Sequence, residues 1–66
     1  MKPNVPAIGA RVRCLSMNDP QPVPSGTIGT VTGLANMGSW LRIGVLWDNS
    51  STLALAVPPD RYEIVC

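Results

Sequence analysis

Hydrophobic and polar residues alternate with a period of two in several short stretches of this chain. In residues 11–14, two arginines alternate with Val12 and Cys14. Successive side chains of a β-strand point to opposite faces, so this alternation predicts a strand that is buried on one face. Residues 40–47 repeat the pattern, and the predicted inner face of this second stretch consists of Leu41, Ile43, Val45 and Trp47. No stretch has the period of an amphipathic helix.

Turn-forming residues separate the predicted strands. Three prolines within residues 18–26 cannot donate ladder hydrogen bonds, so this segment is predicted to form a long loop after the first strand. Asp48 and Asn49 predict a later turn, because their side chains hydrogen-bond to nearby backbone groups. The alternation breaks at Leu15 and Met17, which predicts a bulge or a bend at the end of the first strand.

The remaining strands are predicted from shorter segments. Residues 27–34 are rich in β-branched side chains and form the second strand. Leu53 and Leu55 are predicted to face the interior from the fourth strand, as are Tyr62 and Ile64 from the last. The Val-Pro-Pro-Asp segment before that last strand predicts a short 3-10 turn.

This succession of strands and turns predicts an all-β protein, a small five-stranded SH3-like barrel with a long proline-rich first loop. An OB-like barrel is the alternative, although it usually needs more residues and often a helix. Residues 1–8 are predicted to be a flexible N-terminal arm and residues 9–66 the barrel. A chain of 66 residues makes one domain and buries only about 60% of its unfolded surface, so its stability is marginal.

The composition of the chain limits the classes of function that can be expected. The net charge is +1 and only 14% of the residues are charged, which is a weak basis for nucleic-acid binding. Hydrophobic residues make up 45% of the chain, more than a small barrel can enclose, so we expect self-association or a protein partner. The chain shows neither a signal peptide nor a membrane span, which predicts a cytoplasmic protein. Whether Cys14 and Cys66 pair stays open.

The order of motifs resembles a family of small domains of unknown function that occurs in bacteria, phages and other mobile elements. The residues that carry the resemblance are Gly9, Arg11 and Val12; Met17, Asp19 and Pro20; Pro24 to Val31; Trp47 to Asn49; and Asp60 with Tyr62. The resemblance implies an SH3-like fold and supplies no activity. Ser50 departs from it, because the family commonly has glycine there. If that position needs a positive φ, serine costs about 1 kcal/mol.

Two sets of residues are candidates for binding. Alternation sends three apolar side chains outward, and these predict a contact surface: Ile28, Trp40 and Leu46. The alternative is a weak nucleic-acid site, in which an aromatic ring stacks on bases beside cationic side chains. That site would use Arg11, Arg13, Trp40 and Arg42.

Catalysis has few candidate groups. The chain contains no histidine, so zinc chemistry and the usual catalytic triads are not expected, and we predict no enzyme, cofactor or metal site. The Gly-Thr-Ile-Gly-Thr-Val segment precedes a strand and lacks the lysine of a phosphate-binding loop, so its glycines are predicted to permit a sharp turn. Proline-peptide binding is disfavoured because an aromatic-lined groove is missing. A pore-type oligomeric enzyme, as in a plasmid-borne dihydrofolate reductase of similar fold, is the second alternative.

Overall fold

The computed structural model describes residues 5–65, which form five strands and contain no helix. The strands are β1 (Arg11–Ser16), β2 (Ile28–Asn36), β3 (Leu41–Trp47), β4 (Leu55–Val57) and β5 (Arg61–Ile64). The predicted all-β class is therefore confirmed. Within the same residues, no helix is long and apolar enough to cross a membrane.

The strands form one antiparallel sheet in the order β4-β3-β2-β1-β5. The long strand β2 is central to it, because residues 28–30 pair with β1 and residues 29–36 pair with β3. The register of β2 against β3 shifts between Val31 and Gly33. Such a bulge increases the local twist, so it bends β2 between the part that pairs with β1 and the part that pairs only with β3.

The core lies on one face of this sheet, called the inner face here. Its buried side chains are Val12, Cys14, Val23, Val31, Ile43, Val45, Trp47 and Leu55. The alternation predicted for β1 and β3 is confirmed, although Leu41 is only half-buried. Leu53 and Tyr62 pack against the core, whereas Ile64 keeps 40% of its surface exposed. Val23, which the sequence placed in a loop, is a core residue.

Residues 17–27 connect β1 to β2 and include three prolines. The connection is held at its base by two backbone bonds, from Gly26 N–H to the Cys14 carbonyl and from Cys14 N–H to the Thr27 carbonyl. Gly26 has a φ of 95°, which only glycine adopts without strain. The connection therefore turns back at Gly26 and enters β2 in register with β1.

The segment before β5 differs from the sequence prediction. Residues 57–60 form a turn in which both X-Pro peptide bonds are cis, and not the predicted 3-10 turn. Pro58 and Pro59 have no N–H group, so neither can donate the i→i+3 bonds that a 3-10 turn requires. The turn is closed instead by Asp60, whose N–H donates to the Ala56 carbonyl at 2.9 Å.

The turn after β3 contains Ser50, at the position where the resembled family commonly has glycine. Ser50 has a φ of 74°, in the left-handed region, and its N–H donates to the Trp47 carbonyl at 2.9 Å. Asn49 Oδ1 accepts the N–H of Ser51, which is the Asx-turn that the sequence predicted. The position does require a positive φ, so the serine is strained there.

Relief of this strain should make the Ser50→Gly variant more stable than the wild type. Glycine adopts the left-handed conformation without strain, and we expect a gain of about 0.5–1 kcal/mol in the free energy of unfolding. Urea denaturation measures this difference. Ser39→Gly is the control, because Ser39 is also an exposed turn residue but has no positive φ. Equal effects of the two substitutions would contradict the prediction.

The predicted arm is described from Val5 onward. Pro6 is buried, and the N–H of Gly9 donates to the Val31 carbonyl at 2.8 Å. The Val31 N–H donates to the Ala10 carbonyl, so the ladder between the first two strands continues to this point. The remainder of the predicted arm, residues 1–4, and Cys66 lie outside the described residues.

Candidate functional site

The face of the sheet opposite the core carries a mixed apolar and charged surface at one end. Cross-strand pairing places Arg11 beside Thr30 and Thr30 beside Leu46, while the N–H of Asp48 donates to the Ile28 carbonyl. These five residues are called the outer patch here. Leu46 is half-exposed, at 50%, and Ile28 is half-buried.

Arg11 of β1 links β2 to the turn that follows β3. Its guanidinium donates to both carboxylate oxygens of Asp48, at 3.0 and 2.7 Å, and to Thr30 Oγ1 at 2.8 Å. The pKa of Asp48 lies below its usual value because the Arg11 guanidinium hydrogen-bonds to the carboxylate. The charges at the centre of the outer patch therefore neutralise each other.

This pair should make a contribution to stability that depends on pH. The folded protein holds the Asp48 pKa below its unfolded value, so the contribution is complete above about pH 4 and is lost as the pH falls further. We therefore expect Arg11→Gln to be less stable than the wild type at pH 7, with the difference shrinking towards pH 2. Thermal unfolding of both proteins between pH 7 and pH 2 measures this difference in stability. Arg42→Gln is the control. If the stability difference for Arg11→Gln stays constant with pH, the Arg11–Asp48 pair is not its cause.

The other arginine of β1 is also paired. Arg13 lies between Ile28 of β2 and Glu63 of β5, and its guanidinium forms an ion pair with the Glu63 carboxylate. Both β1 arginines of the predicted nucleic-acid site therefore already contact carboxylates. Phosphate groups would have to compete with these carboxylates for the same donors.

Trp40 and Arg42 lie at the opposite end of β3. Trp40 is six positions before Leu46, which corresponds to about 20 Å along an extended strand. The Trp40 carbonyl accepts the N–H of Met37, and Trp40 itself is half-buried. Arg42 is exposed and has no carboxylate partner among residues 5–65. The structure thus brings Ile28 and Leu46 together but places Trp40 elsewhere, and it divides the four residues of the nucleic-acid site between two ends.

A cleft of about 260 Å³ forms a second candidate site, which the sequence did not predict. It is lined by Leu15, Val57, Asp60, Arg61 and Tyr62. The register of β1 against β5 shifts between Cys14 and Ser16, so Leu15 is the bulged residue. Bulges redirect side chains, and this one contributes Leu15 to the wall of the cleft. The broken alternation at Leu15, which predicted a bulge or a bend, is a sequence signal that points to this site.

Asp60 fixes the geometry of the cleft. It is 5% exposed, and its carboxylate accepts the N–H of Asn18 at 2.7 Å and the N–H of Ala56 at 2.9 Å. The loop after β1 and the strand β4 are thereby joined to the start of β5. Burial raises the pKa of Tyr62 above its usual value.

Chemically reactive groups are few. Cys14 is a free, fully buried thiol whose pKa is raised by burial and, to a smaller extent, by Asp60. It packs as a core residue, as the sequence predicted. Within residues 5–65, no group of three or more His, Cys, Asp or Glu side chains is placed to hold a metal ion.

Both candidate sites are surfaces of a small antiparallel β domain, one on its outer face and one at the junction of three strands. A family described as a domain of unknown function, DUF4314, matches residues 2–65. The match spans nearly the whole chain, so the protein belongs to this family. No curated protein and no solved structure matches it.

Proposed function

We propose that this protein is a non-enzymatic, SH3-like β-barrel that acts as a binding and assembly module. The strand order supports the barrel, because β2 is shared between two pairings and is bent by its bulge, as a sheet that curls on itself requires. The module associates with a second copy of itself or with a protein partner. Origin on a phage or another mobile element is part of the proposal, and the genes on either side of this one test it.

The observation that carries the proposal is the combination of apolar exposure and internal charge pairing on the outer patch. Leu46 exposes half of its surface directly beside the Arg11–Asp48 pair. Val65, whose N–H donates to the Arg11 carbonyl, adds a second exposed apolar side chain at the β5 side. A surface with apolar side chains and neutralised charges suits a protein contact, because few of its groups need new partners when water is removed.

The experiment that tests self-association is sedimentation equilibrium at up to high micromolar concentration. We expect the wild type to associate reversibly and Leu46→Glu to be monomeric, because the substitution places a charge in the apolar contact. Leu34→Glu is the matched control: Leu34 is 39% exposed but pairs with Ile43 and so lies on the inner face. A monomeric wild type would remove the self-association part of the proposal.

The nucleic-acid alternative has less support. It would rest on Arg42 and Trp40, since Arg11 and Arg13 are paired with carboxylates. Titration with a fluorescent single-stranded oligonucleotide at low salt distinguishes the two functions, because phosphate contacts make binding strongly salt-dependent. Salt-sensitive binding that weakens in Arg42→Ala would favour the alternative, whereas no binding at low salt would end it.

The pore-type enzyme is the remaining alternative. It requires an oligomer with an open, ligand-sized cavity on its symmetry axis. An oligomer structure in which Leu46 fills the interface would count against it.

A further inference from the structure

The cleft between β1, β4 and β5 has the features of a preformed binding site. Its walls come from the bulged residue Leu15, the last residue of β4, Val57, and the first residues of β5. Asp60 ties these elements together through two backbone N–H groups on different segments. A ligand would therefore meet walls that need little reorganisation, which reduces the entropy lost on binding.

Two charged residues border the cleft, and only one of them is accessible to a ligand. Asp60 is almost fully buried, and each of its two carboxylate oxygens already accepts a backbone N–H. Arg61 is exposed and, within the part of the chain that the structure describes, has no carboxylate partner. The accessible charge at the mouth of the cleft is therefore positive, and the planar guanidinium matches the geometry of a carboxylate.

The apolar walls of the cleft indicate that the ligand also has an apolar group. Leu15, Val57 and the ring of Tyr62 present apolar surface to a space of about 260 Å³. Sites for drug-sized molecules usually have about 300–1,000 Å³, so this cleft suits one large side chain with a little backbone. Burial of such a side chain supplies affinity, while the arginine selects the charge beside it.

We propose that this cleft binds a segment of a partner protein in which a large apolar side chain is followed by an acidic residue. The apolar side chain occupies the space between Leu15, Val57 and Tyr62, and the carboxylate contacts Arg61. The site shares no residue with the outer patch. The two proposals can therefore fail separately. If the protein is a monomer but binds such a segment, self-association is disproved and the inference about the cleft is upheld.

The experiment uses the full chain, labelled with ¹⁵N, and the capped tetrapeptide acetyl-Ala-Phe-Glu-Ala-amide. We expect the amide signals of Leu15, Arg61 and Tyr62 to shift on titration. The analogue with Gln in place of Glu should bind about threefold to fivefold more weakly, because the exposed ion pair is lost. The analogue with Ala in place of Phe should lose at least about tenfold, because no large side chain is buried.

Two arginine variants complete the test. Arg61→Gln should bind the Glu and Gln peptides equally. Arg42→Gln removes another exposed arginine that has no carboxylate partner among residues 5–65, and it should keep the wild-type preference. Both residues are exposed, so both variants should keep the wild-type spectrum outside the substituted site. The inference is overturned if the shifted amides lie outside the cleft, if no signal shifts at millimolar peptide, or if Arg61→Gln keeps the preference for Glu.

Discussion

Replacement of Gly29 by alanine is expected to lower the free energy of unfolding by about 3 kcal/mol, near the upper end of what overpacking costs. Gly29 is buried in β2, and a Cβ atom there would lie 2.6 Å from Val45 Cγ1 and 2.8 Å from the Leu46 carbonyl oxygen. It would also lie 2.8 Å from Cε3 of the Trp47 ring. The carbonyl belongs to the paired strand β3, so it cannot move away without breaking the ladder.

Urea denaturation of Gly29→Ala and Gly33→Ala measures this effect against a matched control. Gly33 lies in the same strand, but a Cβ atom there meets nothing within 4 Å. We therefore expect Gly33→Ala to stay within about 0.5 kcal/mol of the wild type, as surface substitutions usually do. Equal destabilisation by the two substitutions would show that close packing at Gly29 is not the cause.

Replacement of Asp60 by alanine is expected to cost about 2–3 kcal/mol, because hydrogen bonds to a charged group contribute more than neutral ones. The substitution removes both acceptors and leaves the N–H groups of Asn18 and Ala56 without their partner. Ala56 is half-buried, so water replaces its bond poorly. The loss should separate the loop after β1 from the turn before β5.

Hydrogen exchange of the Asn18 and Ala56 amides, together with urea denaturation, checks this prediction. Exchange at both positions should accelerate in Asp60→Ala beyond what the change in global stability explains. Asp19→Ala is the control, because Asp19 accepts one N–H, from the exposed Gln21 two residues along the chain. A smaller effect for Asp60→Ala than for Asp19→Ala would contradict the role assigned to Asp60.

Several motif residues have structural roles, which explains why these residues say little about a ligand. Met17, Asp19 and Asp60 all bind backbone groups: Met17 Sδ accepts the N–H of Val23, Asp19 that of Gln21, and Asp60 those of two segments. Gly26 supplies a positive φ at the turn. Part of the resemblance noted in the sequence therefore rests on residues that build the fold.

The outer patch and the cleft could be predicted to different extents. Alternation alone placed Leu46 and Ile28 on the outer face, because successive side chains of a regular strand point to opposite faces of the sheet. Trp40 follows the same rule but lies about 20 Å from Leu46 along the strand, so a shared face did not mean a shared site. The broken alternation at Leu15 did predict a bulge or a bend at the end of β1, and the structure confirms the bulge. The cleft also depends on the hydrogen bonds of Asp60 to two distant segments, which no local pattern reveals.

The amino-acid sequence by itself determined the strands, most of their inner faces and the turns at Gly26 and Asn49, because these follow from local alternation and backbone preference. Only the tertiary structure shows that close packing leaves no room for a side chain at Gly29. Only it shows which carboxylate forms an ion pair with each β1 arginine. It also decided that Val23 is buried, and that Leu15 and Arg61 border one cleft. These features depend on segments distant in the chain, and their contacts exist only once the sheet has brought the segments together.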